Sequence, residues 1–508
     1  MASIIPLPGG ARVEHRGLSH WMDRVLTELE ALRKSPAADT VHDLRVALRR
    51  CRSLAAAMEE VDPHPAWEEM RKLGRRLFRS LGSLRDAQVQ QQWIRQLAPP
   101  GDAFGTALSA ALHDREAQFR EKALRKAARF DEKRWSRLAR ILERRARLVP
   151  LASPAAECLA LERLEDVREL HRLALRTERP KPWHKLRVGV KRFRYTVEAF
   201  LPERYAVWSD DLKRLQDLLG DVHDLDVLRE LVRRHAASSH AAEAAAWEQK
   251  ISADRAARIE SYRQFTLGST SLLNRWRLGL PANGKLEAAA FARLRVTAAA
   301  CDPHRRKTAQ TARFAKAILE AGRRAHCAPV FRDTCVHRAF SAIAILHGIR
   351  PAGYSRVQQK AAARFLATRP APAGWSPEQW PLVVLAIRYS RGKEPKNTGG
   401  KFGRLTSDEQ NLIAVLAGVF RIGRALRKIG LDKTSGIRAQ VAPDEITICI
   451  PGLPDTPEVA STLSAAKHLL ERGLGKWLHF RNAEPARKKL VVIPESSPNS
   501  GPLAAASD

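Results

Sequence analysis

Two ten-residue segments carry the side chains best placed to do chemistry in this 508-residue chain: VHDLRVALRR at 41–50 and WHKLRVGVKR at 183–192. In the first, and just beyond it, His42, Arg45, Arg49 and Arg52 stand at i, i+3, i+7 and i+10. His184, Arg187, Lys191 and Arg194 repeat that spacing in the second. On an α-helix the spacing lays four cations in one narrow row. Like charges three and four apart repel by a few tenths of a kcal/mol each, so a row without acid, present twice, points to an anion that normally lies along it. Guanidinium forks suit phosphate oxygens, and the chemistry expected is the holding of a polyanion, not bond breaking.

The doublets His42-Asp43 and His223-Asp224 raise metal binding as an alternative. The repeat argues against it, because Asp43 is matched by Lys185 and His223 by Arg85. A position that accepts arginine in place of histidine wants a cation, since guanidinium does not ligate metal. Asp86 and Asp224 stand in both copies and are expected to orient neighbouring Arg or His side chains. No metal or other cofactor is expected.

Helices must position these rows. Val41, Leu44, Leu48 and Cys51 form an apolar stripe beside the first row, answered by Trp183, Leu186, Val190 and Phe193 beside the second. The duplication extends further, since LGSLRDAQV at 81–89 aligns with LGDVHDLDV at 219–227. Two copies of one helical unit are therefore expected side by side. Up to about residue 280 the chain is rich in Ala, Leu, Arg and Glu, broken at VDPHP (61–65), APPGD (98–102), LVPLASP (148–154), TERPKP (177–182) and LPANG (280–284). A second helical region runs over 285–430. Beyond it EITICI reads as a strand, STLSAAKHLLERGL as a helix and KKLVVIP as a strand, before a polar tail at 495–508 that is expected to be disordered.

Charge narrows the partners. Lys and Arg number 88 against 55 Asp and Glu, a formal net charge of +33. Residues 285–430 hold 27 Lys and Arg against 8 acids, whereas residues 431–508 hold nine of each. Such an excess calls for nucleic acid, polyphosphate or an anionic membrane surface. Aromatics make up 6% of the chain, and Trp183 and Phe193 fall on the apolar stripe, which leaves no evident platform for stacked bases. Six Cys form no CxxC pair and read as reduced thiols. The first residues lack a secretory pattern, and the longest clearly apolar run, LIAVLAGVF at 412–420, is short of the ~20 residues that span a bilayer. A cytoplasmic protein without a membrane partner is expected.

The doubled His-x-Leu-Arg-Val-x-x-(Arg/Lys)-Arg segment, each copy followed by Leu-Gly-x-x-(Arg/His)-Asp, resembles the CHAD family (conserved histidine α-helical domain) over about 14–280. The resemblance implies two four-helix units, here about 14–150 and 151–280, around a basic groove that binds inorganic polyphosphate. Its contacts would be His42, Arg45, Arg49, Arg52 and Arg85 from one half, and His184, Arg187, Lys191, Arg194 and His223 from the other. Lys72, Arg75, Arg76, Lys213 and Arg214 would extend the surface. The basic stretch 103–148 departs from the pattern and is expected to form helices outside the core unit.

The text PHRRKTAQTARFAKAIL, LHGIRPAGYS, AIRYSRGKEP and FRIGRALRK over 296–430 resembles the HD-type helical domain near the end of the exopolyphosphatase/guanosine pentaphosphate phosphohydrolase family, with a small α/β extension at 431–494. The departures bear on chemistry. Gly348 follows His347, Tyr389-Ser390-Arg391 stands where the family has Tyr-His-Arg, and no His occurs from 348 to 467. His304, His326 and His337 stand isolated from paired acids, a poor set for metal-assisted hydrolysis. Secondary anion contacts are expected at Arg305, Arg306, Lys307, Arg388, Arg391 and Lys393, with Lys396 and Lys401 nearby. The whole reads as a mostly α protein: a duplicated four-helix-bundle CHAD-like domain, then an HD-like all-α domain with a small C-terminal α/β element. The expected function is non-catalytic polyphosphate binding, on granules or beside polyphosphate-metabolising enzymes. The alternatives are nucleic-acid binding through the same surfaces and a phosphohydrolase acting on polyphosphate or phosphorylated nucleotides.

Overall fold

The computed structural model describes residues 3–6, 12–15, 17–236, 241–354, 357–396 and 400–483. A short antiparallel ribbon of β1 (Ser3–Pro6) and β2 (Arg12–His15) precedes the helices. The first helical unit comprises α1 (Leu18–Lys34), α2 (Ala38–Met58), α3 (Pro65–Leu97) and α4 (Ala103–Ala128), each packed on the next. After α5 (Glu132–Ala146), the second unit repeats the order with α6 (Pro154–Leu175), α7 (Pro180–Phe200), α8 (Pro202–His235) and α9 (Ala241–Thr266). Proline opens α3, α6, α7 and α8, where its fixed φ suits the first turn and its missing N–H costs nothing. The Ser153 hydroxyl caps α6 by accepting from the Ala156 N–H at 3.2 Å.

The units meet where α2 packs on α7 and α3 on α8. Both apolar stripes are spent on this core: Val41, Leu44, Leu48, Cys51, Leu186, Val190 and Phe193 have no exposed surface, and Trp183 is 2% exposed. Because each stripe is buried, the cationic row beside it is held at a fixed angle to the interface. A smaller core of Trp93, Leu108, Leu228 and Trp247 joins the far ends of α3, α4, α8 and α9. The expectation for residues 103–148 needs correction here. Most of that stretch is α4, which packs on α3 as α9 packs on α8, so it belongs to the duplicated unit. Only α5 is additional, clamped across α1 and α3 by the buried Trp135, whose indole N–H donates to Met22 O at 3.0 Å.

After α10 (Leu272–Leu278), the second region contains α11 (Asn283–Cys301), α12 (Arg305–Arg324), α13 (Thr334–Leu346), α14 (Gln358–Ala367), α15 (Gln379–Tyr389) and α16 (Ser407–Ile429). The apolar run at 412–420 lies inside α16 and is nearly all buried. Thr406 and Glu409 form a capping box at its start, and Gly430, at φ 93°, ends it in a conformation that favours glycine. The chain closes with β3 (Arg438–Val441), β4 (Glu445–Ile450), α17 (Pro457–Leu474) and β5 (Trp477–Asn482), with β3 antiparallel and β5 parallel to β4. The KKLVVIP strand and the 495–508 tail lie outside the described residues. α11 packs on α6, where the Arg293 guanidinium and the Glu162 carboxylate lie 3.0 Å apart, nearly buried. Among the described residues no helix is long and apolar enough to cross a membrane.

Candidate polyanion-binding site

The two rows face each other across the α2–α7 contact. Arg45 and Arg49 of α2 lie in the electrostatic surroundings of Arg187 and Lys191 of α7, with Asp86 of α3 and Asp224 of α8 as the nearby acids. Arg45 Nη2 sits 3.8 Å from Asp86 Oδ1, at the outer limit of an ion pair, and Asp86 remains largely open to solvent. The rows are therefore only partly neutralised by the protein itself. Arg49 Nε, Arg52 Nη1, Arg187 Nε and Arg194 Nε are buried without a hydrogen-bond partner.

Aromatic rings, which sequence reasoning missed, hold the guanidiniums. Phe78 of α3 lies beneath both Arg45, at 5.0 Å, and Arg52, at 4.8 Å. Tyr195 of α7 lies beneath Arg49 at 5.6 Å and Arg50 at 5.8 Å. Such contacts contribute roughly 0.5–1 kcal/mol each at exposed sites and restrict the side chains before any ligand arrives. Arg50 is otherwise committed, stacked 4.2 Å over Trp21 and paired with Glu198 across the interface. Gly82 makes room for the first row, since a Cβ there would stand 2.7 Å from Arg45 Nη1.

Proton affinity separates the groups. Burial first, and then the Arg187, Arg49 and Arg45 guanidiniums, pull the Lys191 ammonium down to about 6. Burial, with Arg187 and His184 adding to it, holds His223 near 3, and its Nδ1 lies 3.3 Å from Nδ1 of His184. Two imidazoles at that distance share one proton between the facing nitrogens. Burial and nearby cations also lower His42 and His184 from the ordinary value. The sequence suggests histidines that charge near pH 6.5; in the structure the groups placed to titrate nearest neutrality are Lys191 and Asp224, whose carboxyl burial pushes up to about 6.

The remaining expected contacts scatter. Arg85 belongs with His42 and Arg45. Arg75 continues the row past Arg52, in company with Arg71 and Arg79. Arg76 is the next residue along α3 and turns away, lining with Lys72 a separate cleft of about 680 Å³ that Lys126, Arg129 and Arg134 share. Arg194 donates from Nη2 to Tyr205 Oη at 3.4 Å. Lys213 is exposed on α8, while Arg214 is drawn 3.8 Å over Phe265 of α9. A cavity of about 590 Å³ at one end of the groove is lined by Asp86, Arg115, Lys181, His184, His223 and Asp226, among others.

In the second region, Arg305, Arg306 and Lys307 are exposed on the first turn of α12, and Lys393, Lys396 and Lys401 are exposed on loops. Arg388 rests 5.6 Å over Tyr389. Arg391 alone of this set turns inward, donating from Nη1 to Gln358 Oε1 at 2.6 Å. Among the described residues, no group of three or more His, Cys, Asp or Glu is arranged to hold a metal ion.

Residues 16–233 match the family described as CHAD domain. The chain is similar in structure to the CHAD domain from the plant Ricinus communis at 19% identity and a TM-score of 0.40, covering 51% of this chain and 96% of that one. It is also similar to PptA from Streptomyces chartreusis, at 16% identity and 0.39, covering 49% and 96%. No curated protein matches. The family match takes in both cationic rows and both Leu-Gly segments.

Proposed function

We propose that the groove between the two units binds inorganic polyphosphate and does not hydrolyse it. The observation that carries this reading is the set of buried, unpartnered guanidinium nitrogens on Arg49, Arg52, Arg187 and Arg194, which lie in rows contributed by both halves. A buried donor left unmade costs about 1–3 kcal/mol, and an oxyanion passing between the rows removes that cost at several points at once. About eight ion pairs at up to ~1 kcal/mol each reach the micromolar range against a flexible polymer. The second region, which keeps the HD-like text without its acidic and histidine ligands, adds basic surface in this reading and no catalysis. A protein of this kind would work in the cytoplasm, on polyphosphate granules or beside polyphosphate-metabolising enzymes.

The deciding experiment is competition of long-chain polyphosphate against DNA and RNA at fixed salt, with affinity followed as salt is raised. Polyphosphate is expected to win, with affinity falling steeply as counterions are released. Preference for duplex DNA, or binding that ignores salt, overturns the reading. Incubation with polyphosphate, guanosine pentaphosphate or ATP and Mg²⁺ or Mn²⁺ is expected to release no phosphate above a blank. Release that stops on His347→Ala would establish the hydrolase alternative.

A further inference from the structure

Away from the groove, the second region encloses a polar centre that its own residues leave unneutralised. His347, just past α13, is 2% exposed. Its Nδ1 lies 3.0 Å from Ile343 O and donates to it, which leaves Nε2 as a buried lone pair without a partner. His347 faces Arg424 of α16 and Arg391 just past α15. Arg424 donates from Nη1 to Ser390 O at 2.8 Å, but its Nε and Nη2 are buried and unpartnered. Arg391 uses Nη1 on Gln358, and its Nε is likewise buried and unpartnered. Arg427 and the exposed Arg350 also face Arg391.

Capping of a helix end accounts for part of this centre. Arg421 donates to Tyr389 O at 2.8 Å and Gly392 O at 2.7 Å, and Arg424 serves Ser390 O, so the last carbonyls of α15 are satisfied. Capping leaves the other nitrogens of Arg424 and Arg391 unexplained. Acid does not explain them either. Asp302 is the weakest of the charges acting on Arg391 and accepts from the His304 N–H at 2.8 Å, and Glu394 lies 3.7 Å from Arg421. Burial, then Arg391, Arg421 and Arg427, lower the proton affinity of Arg424 from its ordinary value. A guanidinium keeps its proton in a protein, so the cluster gains from an anion and not from deprotonation.

We infer that Arg391 and Arg424, with Arg427 beside them and Arg350 at the exposed edge, form a second site that holds one phosphoryl oxyanion between α13, α15 and α16. Guanidiniums near enough to repel one another, with donors left unpartnered on both Arg391 and Arg424, suit a multiply charged tetrahedral group better than a carboxylate. The ligand is either a free small phosphate or the terminal phosphate of a longer polymer. This site does not depend on the groove reading.

The test uses the full chain and inorganic pyrophosphate, with ionic strength held constant by chloride. Melting temperature and equilibrium binding are measured for the native protein, for Arg45→Glu with Arg49→Glu in the groove, and for Arg391→Gln with Arg424→Met. Pyrophosphate is expected to raise the melting temperature of the native and groove variants alike and to leave the third unchanged. Without anion, Arg424→Met should not lower the melting temperature, because it removes a buried charge along with one capping bond. Should the double variant fail to fold, Arg391→Lys keeps the charge, loses the fork and should weaken pyrophosphate at least tenfold. No saturable response in the native chain overturns the inference. So does a response that survives in the Arg391 variants and disappears in the groove variant, which would place the anion in the groove instead. In the groove variant, displacement of pyrophosphate by long-chain polyphosphate identifies polymer ends as the source, and failure to displace identifies a free phosphate. Both of these outcomes keep the site.

Discussion

Where α2 carries Arg49, α7 carries Lys191, and where α3 carries Arg85, α8 carries His223. The first half of the groove is thus built from guanidiniums that stay charged at every pH of interest. The second half carries an ammonium pulled down to about 6 and a histidine held near 3. The supports differ too. Phe78 underlies two cations of the first row, while its counterpart in the repeat, Gln216, offers no ring. One scaffold therefore carries a permanently cationic wall and a wall whose charge depends on what occupies the groove. The difference teaches that a duplicated motif need not duplicate protonation behaviour, because desolvation and neighbours set it.

The strongest challenge to this comparison is charge reversal, one wall at a time. Arg45→Glu with Arg49→Glu is expected to weaken polyphosphate binding by on the order of 3 kcal/mol, about a hundredfold, from lost charge-assisted contacts and added repulsion. Arg187→Glu with Lys191→Glu should cost as much, because the polymer protonates Lys191 on binding. Helix content by circular dichroism should hold, since the apolar stripes are untouched and Glu favours helix. The control is Arg140→Glu with Arg144→Glu on α5, outside the duplicated unit, which changes net charge equally. A control that costs as much as the groove variants would mean that total charge, not the rows, binds the polymer.

A smaller effect sharpens the contrast between the walls. Without ligand Lys191 is mostly neutral above pH ~6, and a polyanion restores its proton, so binding takes up protons. Affinity should fall by up to about tenfold per pH unit above pH 6. In the free protein the sign is opposite. The unfolded chain holds the Lys191 proton up to the ordinary lysine value of 10.5 and the folded chain only to about 6, so between those values stability rises with pH. Lys191→Arg should flatten both trends, and Arg49→Lys should steepen the first. Calorimetry in buffers of different ionisation heat reads the proton uptake directly. A native protein that takes up no proton would sink the two-wall picture. His42→Ala with His184→Ala should leave most of the slope in place.

How far the sequence carried these conclusions varied with distance. The rows and stripes were legible because each needs only the 3.6-residue period of a single helix, and all eight stripe residues are buried as that period requires. Phe78 was hidden because it lies 26 residues beyond Arg52 on another helix, and nothing local to either residue announces their contact. The titration of Lys191 was hidden for the same reason, since it depends on Arg49 and Arg45 from the opposite half. α4 escaped recognition as a repeat member because its apolar contacts are confined to its two ends, with a charged, mostly exposed stretch between them. The cluster around Arg424 draws on α16 and on the ends of α13 and α15, and only folding assembles it.

The mildest test compares the two glycines of the repeated Leu-Gly segment. A Cβ on Gly82 would meet Arg45 Nη1 at 2.7 Å, whereas a Cβ on Gly220 would meet nothing within 4 Å. Both lie inside long helices, where alanine is favoured over glycine by roughly 0.5–1 kcal/mol. Gly220→Ala should therefore raise stability by about that amount in denaturant unfolding and leave polyphosphate affinity unchanged. Gly82→Ala meets the far end of a flexible side chain, so the fold should survive while Arg45 is pushed from its place over Phe78. A few-fold loss of affinity is expected there, with salt dependence retained because no charge is removed. If the two variants bind equally well, the seat of Arg45 against α3 does not matter for binding. The first wall would then act through charge alone, and the aromatic support beneath it would contribute to the fold and not to the site.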